Sequence, residues 1–150
     1  MSQSLASLHV HLVFSTKNRA AFLRQTVRPE LHAYMGSILQ KLECSPVLIN
    51  STEDHIHLLF ALARTVPLAR VVEDVKKYSS KWLKTKGPEF SEFSWQTGYG
   101  AFAVSSSNLA EVKAYIANQN EHHRVKSFQE EYRAFLERHG VAYDERYVWD

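Results

Sequence analysis

Hydrophobic and polar residues alternate strictly from Leu8 to Ser15. Leu8, Val10, Leu12 and Phe14 fall on one side, and His9, His11, Val13 and Ser15 on the other, which is the two-residue period of a half-buried strand. From Val27 to Leu42 the period becomes helical. Leu31, Tyr34, Met35, Ile38 and Leu42 form one stripe, and Pro29 sits in the first turn, where a missing N–H costs little. Pro46–Asn50 reads as a short apolar strand. A polar turn at Asp54 opens another, His55–Ala63, with Ile56, Leu58 and Phe60 on one face and His55, His57, Leu59 and Ala61 on the other. Pro67–Lys84 reads as a second helix ended by Gly87-Pro88. An irregular aromatic connection, Phe90 to Thr97, leads to a fourth strand, Tyr99–Ser105. Asn108 and Glu111 have capping-box spacing ahead of a third helix, Leu109–His123. Ser127–His139 is a fourth helix closed by Gly140. The tail Val141–Asp150 carries Tyr143, Tyr147 and Trp149, so it is expected to dock. No repeat, low-complexity stretch or linker divides the chain, and residues 1–150 read as one domain.

The order β-α-β-β-α-β followed by two helices predicts an α+β fold. It is a ferredoxin-like split βαβ sandwich, an antiparallel four-stranded sheet with helices packed on one face, plus C-terminal helices. In that topology the first and third strands are neighbours at the centre of the sheet. Their apolar faces meet the two packing helices, and their histidine faces lie together on the opposite side. Leu59 and Ala61 share that side, so something must partly cover it. The third helix and a partner subunit are the two candidates.

Composition narrows the picture. The chain has 150 residues, 45% of them hydrophobic, and a net charge of +2, an ordinary balance for one globular domain. No apolar run reaches membrane-spanning length and Met1–Ser7 lacks a signal-peptide pattern, so a cytoplasmic protein is expected. The single cysteine, Cys44, excludes an internal disulfide and a multi-cysteine zinc site. The overall charge says little about nucleic acid, but Lys76, Lys77, Lys81, Lys84 and Lys86 fall within eleven residues.

Two small constellations carry chemistry. In His55-Ile56-His57 the imidazoles project from the same side of a strand and can reach one ion, while Ile56 points into the core. A lone His-x-His is more often structural than metal-binding. In Tyr115-Ile116-Ala117-Asn118-Gln119 the phenol and the amide lie one helical turn apart on the same face. Gln119 offers a neutral oxygen suited to a third ligand. By itself this pair is more often a packed tyrosine beside a surface amide. His9-Val10-His11 is a rival pair with the same strand geometry. The lysine run reads first as a solvated helix face, as do His122 and His123 at a helix end, and Phe93, Trp95 and Tyr99 read first as core residues.

Taken together, these elements resemble the His-hydrophobic-His endonucleases with a single catalytic tyrosine, and in particular the transposase A (TnpA) type of the insertion-sequence 200/605 family. The likeness runs from Leu8 to Trp149. It includes His11-Leu12-Val13-Phe14-Ser15-Thr16-Lys17-Asn18-Arg19, Asp54-His55-Ile56-His57-Leu58-Leu59, Tyr78-Ser79-Ser80-Lys81-Trp82, Trp95-Gln96-Thr97-Gly98-Tyr99-Gly100-Ala101-Phe102 and Tyr115 to His123. The resemblance implies a metal-dependent DNA endonuclease and strand transferase acting on hairpin-bearing single-stranded DNA through a 5′-phosphotyrosine intermediate. It implies Tyr115 as nucleophile, and His55, His57 and Gln119 as ligands of Mg²⁺ or Mn²⁺. It also implies a homodimer, with active sites that subunits can share. His11 is then a residue behind the metal or a DNA contact, and Lys17, Arg19, Lys76, Lys77 and Lys81 are candidate DNA contacts. The general base is not evident.

Three rival readings keep the same motifs. A domesticated relative would act on repeated extragenic palindromes. A non-catalytic ferredoxin-like module would bind nucleic acid with Tyr115 inert. A metal hydrolase would use His55 and His57 without a tyrosine adduct.

Overall fold

A computed structural model describes residues 2–119 and 126–150. Strands β1 (His9–Ser15), β2 (Ser45–Ser51), β3 (His55–Ala61) and β4 (Gly100–Val104) form one sheet in the order β2-β3-β1-β4. Every neighbouring pair is antiparallel. Helix α1 (Arg28–Lys41) joins β1 to β2, and α2 (Leu68–Lys84) joins β3 to β4. Helices α3 (Leu109–Ala117) and α4 (Phe128–Arg138) follow. This is the split βαβ arrangement expected from the sequence. The alternation in β1 and β3 explains it, because each strand offers a wholly apolar face that must be covered. Pro46 is accommodated where it costs least, on the edge strand β2 beside a register shift between Pro46 and Leu48.

The larger core lies between the sheet and helices α1 and α2. Leu12, Phe14, Ile56, Leu58 and Phe60 meet Leu31, Met35, Leu39, Val71, Val75 and Leu83 there. Each such side chain fully buried contributes about 1.5–3 kcal/mol. The aromatic connection closes the end of this core. Phe93 and Trp95 are buried in it, and the indole of Trp95 donates to Ser79 Oγ at 2.9 Å.

The cover expected over the histidine face, from the third helix or a partner subunit, gains a further element. The histidine face is covered by this chain's own α4 and tail. Val13 and Phe102 on the sheet pack with Phe128, Tyr132 and Leu136 of α4, flanked by Phe135, Tyr143, Val148 and Trp149. Gly100 allows the closest approach, since a Cβ there would lie 2.5 Å from Cε2 of Tyr132. Ser127 caps α4, its hydroxyl accepting from the Glu130 amide at 3.2 Å. Asn108 makes no equivalent cap on α3; a 3₁₀ turn over Ser106–Asn108 leads into that helix. Helix α3 is interrupted at Asn118, and Gln119 is again helical. The predicted continuation to His123 lies outside the described residues after Gln119.

His32 gives the fold a pH dependence. Its Nε2 is 2.7 Å from Ser51 Oγ, and burial, then the nearby Arg28 charge, lowers its pKa to about 4. A depressed histidine favours the neutral form, so its contribution is present above the unfolded value near 6.5 and is lost as pH falls toward 4. Between pH 7 and pH 4.5 this amounts to about 2 kcal/mol. Urea unfolding at the two pH values should show a stability loss that is smaller by about this amount in His32→Gln. An equal loss in both proteins would exclude the assignment.

Candidate functional site

The two central strands bring the histidines together. In the β1–β3 register, Val13 is opposite His57 and Ser15 opposite His55, so His11, His55 and His57 share one face. His11 reaches His57 diagonally, with its Nε2 2.7 Å from Nδ1 of His57. Burial, then the His57 charge, holds the His11 pKa well below its ordinary value. Neutral His11 therefore donates to His57 Nδ1, and Nε2 of His57 donates in turn to Glu131 Oε1, 2.8 Å away. His55 is held by different partners. Its Nδ1 lies 2.7 Å from Asp54 Oδ1 and 2.9 Å from Thr52 Oγ1. With Nδ1 held by Asp54 and Thr52, the Nε2 edge of His55 is turned to the interior.

Gln119 comes from the other side. Just beyond the end of α3, its Oε1 lies 3.3 Å from Nε2 of His55, and its Nε2 donates to the Tyr115 carbonyl at 3.4 Å. The α3 end is anchored on the sheet by Asn50, whose Nδ2 donates to the Ile116 carbonyl at 2.8 Å. Glu131 Oε1 is 3.7 Å from Nε2 of His55. His55, His57 and Gln119 have no exposed surface and Glu131 has 2%. Nitrogen and oxygen donors thus converge from β3, the end of α3 and α4. The ligand atoms of His55, His57 and Glu131 lie within 4.8 Å of one another, close enough to hold one metal ion. The donor set fits such an ion well. Each imidazole is oriented through Nδ1 by a second residue, the usual way in which ligating histidines are fixed.

Tyr115 borders this cluster. Its ring centroid is 6.2 Å from that of His57 and 5.5 Å from that of Phe135. Burial, then the Glu131 charge and a hydrogen bond to Glu131, raises its pKa above the ordinary phenol value, and a hydrogen bond from Gln119 opposes the shift. The phenol is therefore held protonated. Burial alone would raise the Glu131 carboxyl. The hydrogen bond and charge of His57, the charge of His55 and the Tyr115 hydrogen bond outweigh it and bring the carboxyl to about 2.

Glu131 is the residue that sequence reasoning missed. A signal existed: Glu131 lies three residues after Phe128 and four before Phe135, on the helix stripe that meets the sheet. A carboxylate on that stripe requires a partner inside.

The other candidates separate clearly. His11 is buried behind His57 and touches it directly, so it is placed to orient that ring. Lys17 and Arg19 follow the end of β1 that carries Ser15, opposite His55. Lys76 differs from the sequence-based expectation of a DNA contact. Its Nζ donates to the carbonyls of Gln96, Thr97 and Gly98 at 2.7, 3.1 and 2.6 Å, and burial lowers its pKa to about 8. Lys77 and Lys81 are exposed, but on α2, across the sheet from the histidines. His122 and His123 lie outside the described residues.

The Lys76 contacts predict a split among the lysines. Lys76→Met should lower folding stability by about 2 kcal/mol or more, since hydrogen bonds from a charged donor contribute roughly 1.5–3 kcal/mol each. Lys77→Met and Lys81→Met should leave stability nearly unchanged. Thermal unfolding of the three variants decides it, and equal melting temperatures would exclude the role given to Lys76.

Residues 4–119 match the family described as Transposase IS200 like. No curated protein sequence matches the chain. Two solved structures share its fold. A candidate transposase from Deinococcus radiodurans R1 aligns with a TM-score of 0.62 and 24% identity, over 79% of this chain and 98% of that one. A REP-associated tyrosine transposase bound to a REP hairpin aligns with a TM-score of 0.60 and 14% identity, over 82% of this chain and 74% of that one. With the family match spanning most of its length, the chain belongs to the IS200-like transposases.

Proposed function

We propose that this protein cleaves and rejoins hairpin-bearing single-stranded DNA through a covalent 5′-phosphotyrosine on Tyr115. The observation that carries the reading is the convergence of His55 Nε2, His57 Nε2 and Gln119 Oε1 beside the Tyr115 phenol. A divalent ion, Mg²⁺ or Mn²⁺, held by these three atoms would polarise the scissile phosphate and stabilise the departing oxygen. Glu131 supplies a fourth, anionic oxygen at the same point.

Attack forms a bond between the Tyr115 oxygen and phosphorus and breaks the P–O3′ bond, leaving a 3′ hydroxyl. The Glu131 carboxylate, already hydrogen-bonded to the phenol, is the acceptor within reach of the tyrosine proton. Attack by a 3′ hydroxyl on the phosphotyrosine reverses the step and joins a new end, so strand transfer needs no nucleotide hydrolysis. Were Nε2 of His57 to hold an ion, His57 would carry its proton on Nδ1 and His11 would carry its own on Nδ1, leaving Nε2 of His11 free to accept. The hydrogen bond to His11 then runs the other way, with His57 donating and His11 accepting. The 2.7 Å contact suits both directions, which makes His11 a positioning residue.

Hairpin DNA as substrate is supported by the related fold of the transposase bound to a REP hairpin. Lys17 and Arg19, which follow the His55 end of β1, are candidates to hold the strand near the site. Lys77 and Lys81 would meet a hairpin only where it passes to the far side of the sheet. Homodimerisation is proposed from the family resemblance. The chain's own Tyr115 stands beside its own His57, which favours a site completed within one chain.

Purified protein, Mn²⁺ and a hairpin strand from the gene's flanks, labelled 3′ to the cut, should give a labelled adduct on a denaturing gel. Tyr115→Phe should abolish the adduct. His57→Ala should reduce it more than Gln119→Ala, which should cost roughly 10-fold, since an amide is the weaker ligand. An adduct that persists in Tyr115→Phe would overturn the mechanism. Hairpins from repeated extragenic palindromes, run in parallel, would show whether a domesticated role fits better.

His11→Ala should raise the Mn²⁺ concentration needed for half-maximal adduct by roughly 10- to 100-fold, the cost of losing a residue that orients a ligand. An unchanged metal titration in a folded His11→Ala protein would exclude the positioning role.

A further inference from the structure

A cavity of about 330 Å³ opens beside Tyr115, between β4, α3 and α4. We propose that it is a subsite for one unpaired nucleobase adjoining the scissile phosphate. The inference deepens the reading of Tyr115 as the residue that engages single-stranded DNA, and rests on it.

The walls have the chemistry of a base pocket. Phe135 and Phe102 stack at 5.4 Å with an interplanar angle of 23°, and His139 stacks on Phe102 at 4.7 Å and 28°. Phe102 is buried, while Phe135 and His139 keep exposed surface at the cavity. These rings line one side, and the apolar side chains of Val104 on β4 and Val112 on α3 line another. Aromatic faces with apolar surroundings suit any of the bases, because every base has a π-face to stack. A volume of this order also falls within the range of small-ligand sites.

Position and charge suggest how the strand would lie. Tyr115 and Glu131 line the cavity, so a phosphate at the phenol has its neighbouring nucleoside directly beside the opening. Lys126 and Arg138 supply positive charge among the lining residues, whereas the Glu111 carboxylate disfavours a phosphate on the α3 wall. The backbone would therefore stay at the rim and the base would enter. Asn108 and Glu111, also in the lining, offer an amide and a carboxylate. The carboxylate accepts from an exocyclic amino group or a ring N–H, and the amide both donates and accepts, so the pair can meet the polar edge of any base.

The test uses the full chain as Tyr115→Phe, so that DNA binds without cleavage. 2-Aminopurine is placed in turn at each unpaired nucleotide of the hairpin strand, and its fluorescence is read on binding. One position should show stacking quench, and Ala134→Leu or Val112→Phe, each filling the cavity from a different wall, should abolish that quench while hairpin binding persists. An abasic nucleotide at the same position should weaken binding by roughly 5- to 100-fold in the unfilled protein and little in either filled one. Bound DNA with no quench that responds to both filling variants would overturn the subsite. Adduct formation by the protein with Tyr115 restored is scored separately. An adduct without the quench removes the subsite and leaves the transposase reading, and quench without an adduct does the reverse. Failure to bind any hairpin strand would overturn both.

Discussion

The contact between the Glu131 carboxylate and the His57 imidazole governs how the second face of the sheet is closed. Strands β1 and β3 carry apolar residues on one side and a mixed layer of histidines, Val13 and Leu59 on the other. Only the apolar side can be sealed by hydrophobic packing alone. On the other side, every polar group removed from water needs a partner, and an unpaired charge would be costly. Glu131 meets that requirement at the centre of the layer, while Phe128, Tyr132 and Leu136 on the same helix supply the apolar contacts around it. A buried carboxylate of this kind gives specificity more than stability. It holds one rotational setting of α4, in which Phe135 lies beside Tyr115 and both imidazoles keep their orientation.

The histidine layer is also a polar network with a direction. His11, His57 and Glu131 form a chain in which each donor has an acceptor, and His55 has its own anchors in Asp54 and Thr52. The two histidines of one short motif are therefore held by unlike partners. His55 leans on a carboxylate and a hydroxyl, which fix the orientation of its ring. His57 leans on another imidazole and can exchange tautomers without moving. A pair that looks symmetrical in sequence thus has one rigid member and one adaptable member.

Much of this was legible in the sequence because the signals were local. The alternation at Leu8–Ser15 and His55–Ala63 placed both histidine pairs on one face, and the glycine and proline stops bounded the helices within a residue or two. The pairing of β1 with β3 followed from topology. Less local features were harder to read. The interruption of α3 at Asn118 reflects local backbone geometry there, to which the apolar period is blind. Glu131 looked like one of several acidic residues in a charged helix until the sheet was set against it. Lys76 belonged to an evident lysine cluster, yet its ammonium is committed to a loop twenty residues away. Both cases turn on which side of a helix meets a distant segment, and periodicity alone does not say what that segment offers.

Gly100 sets the spacing between the sheet and α4. The Tyr132 ring occupies the space where a side chain of β4 would stand, and Tyr132 adjoins Glu131 in the chain. Even a methyl group at residue 100 would act as a wedge, prying α4 outward at one point and tilting it about the rest of its contacts. The tilt would carry the carboxylate away from the imidazoles and alter the gap beside the phenol. The alignment of the reactive groups is thus gauged by a missing atom on an edge strand, at a position that touches none of them.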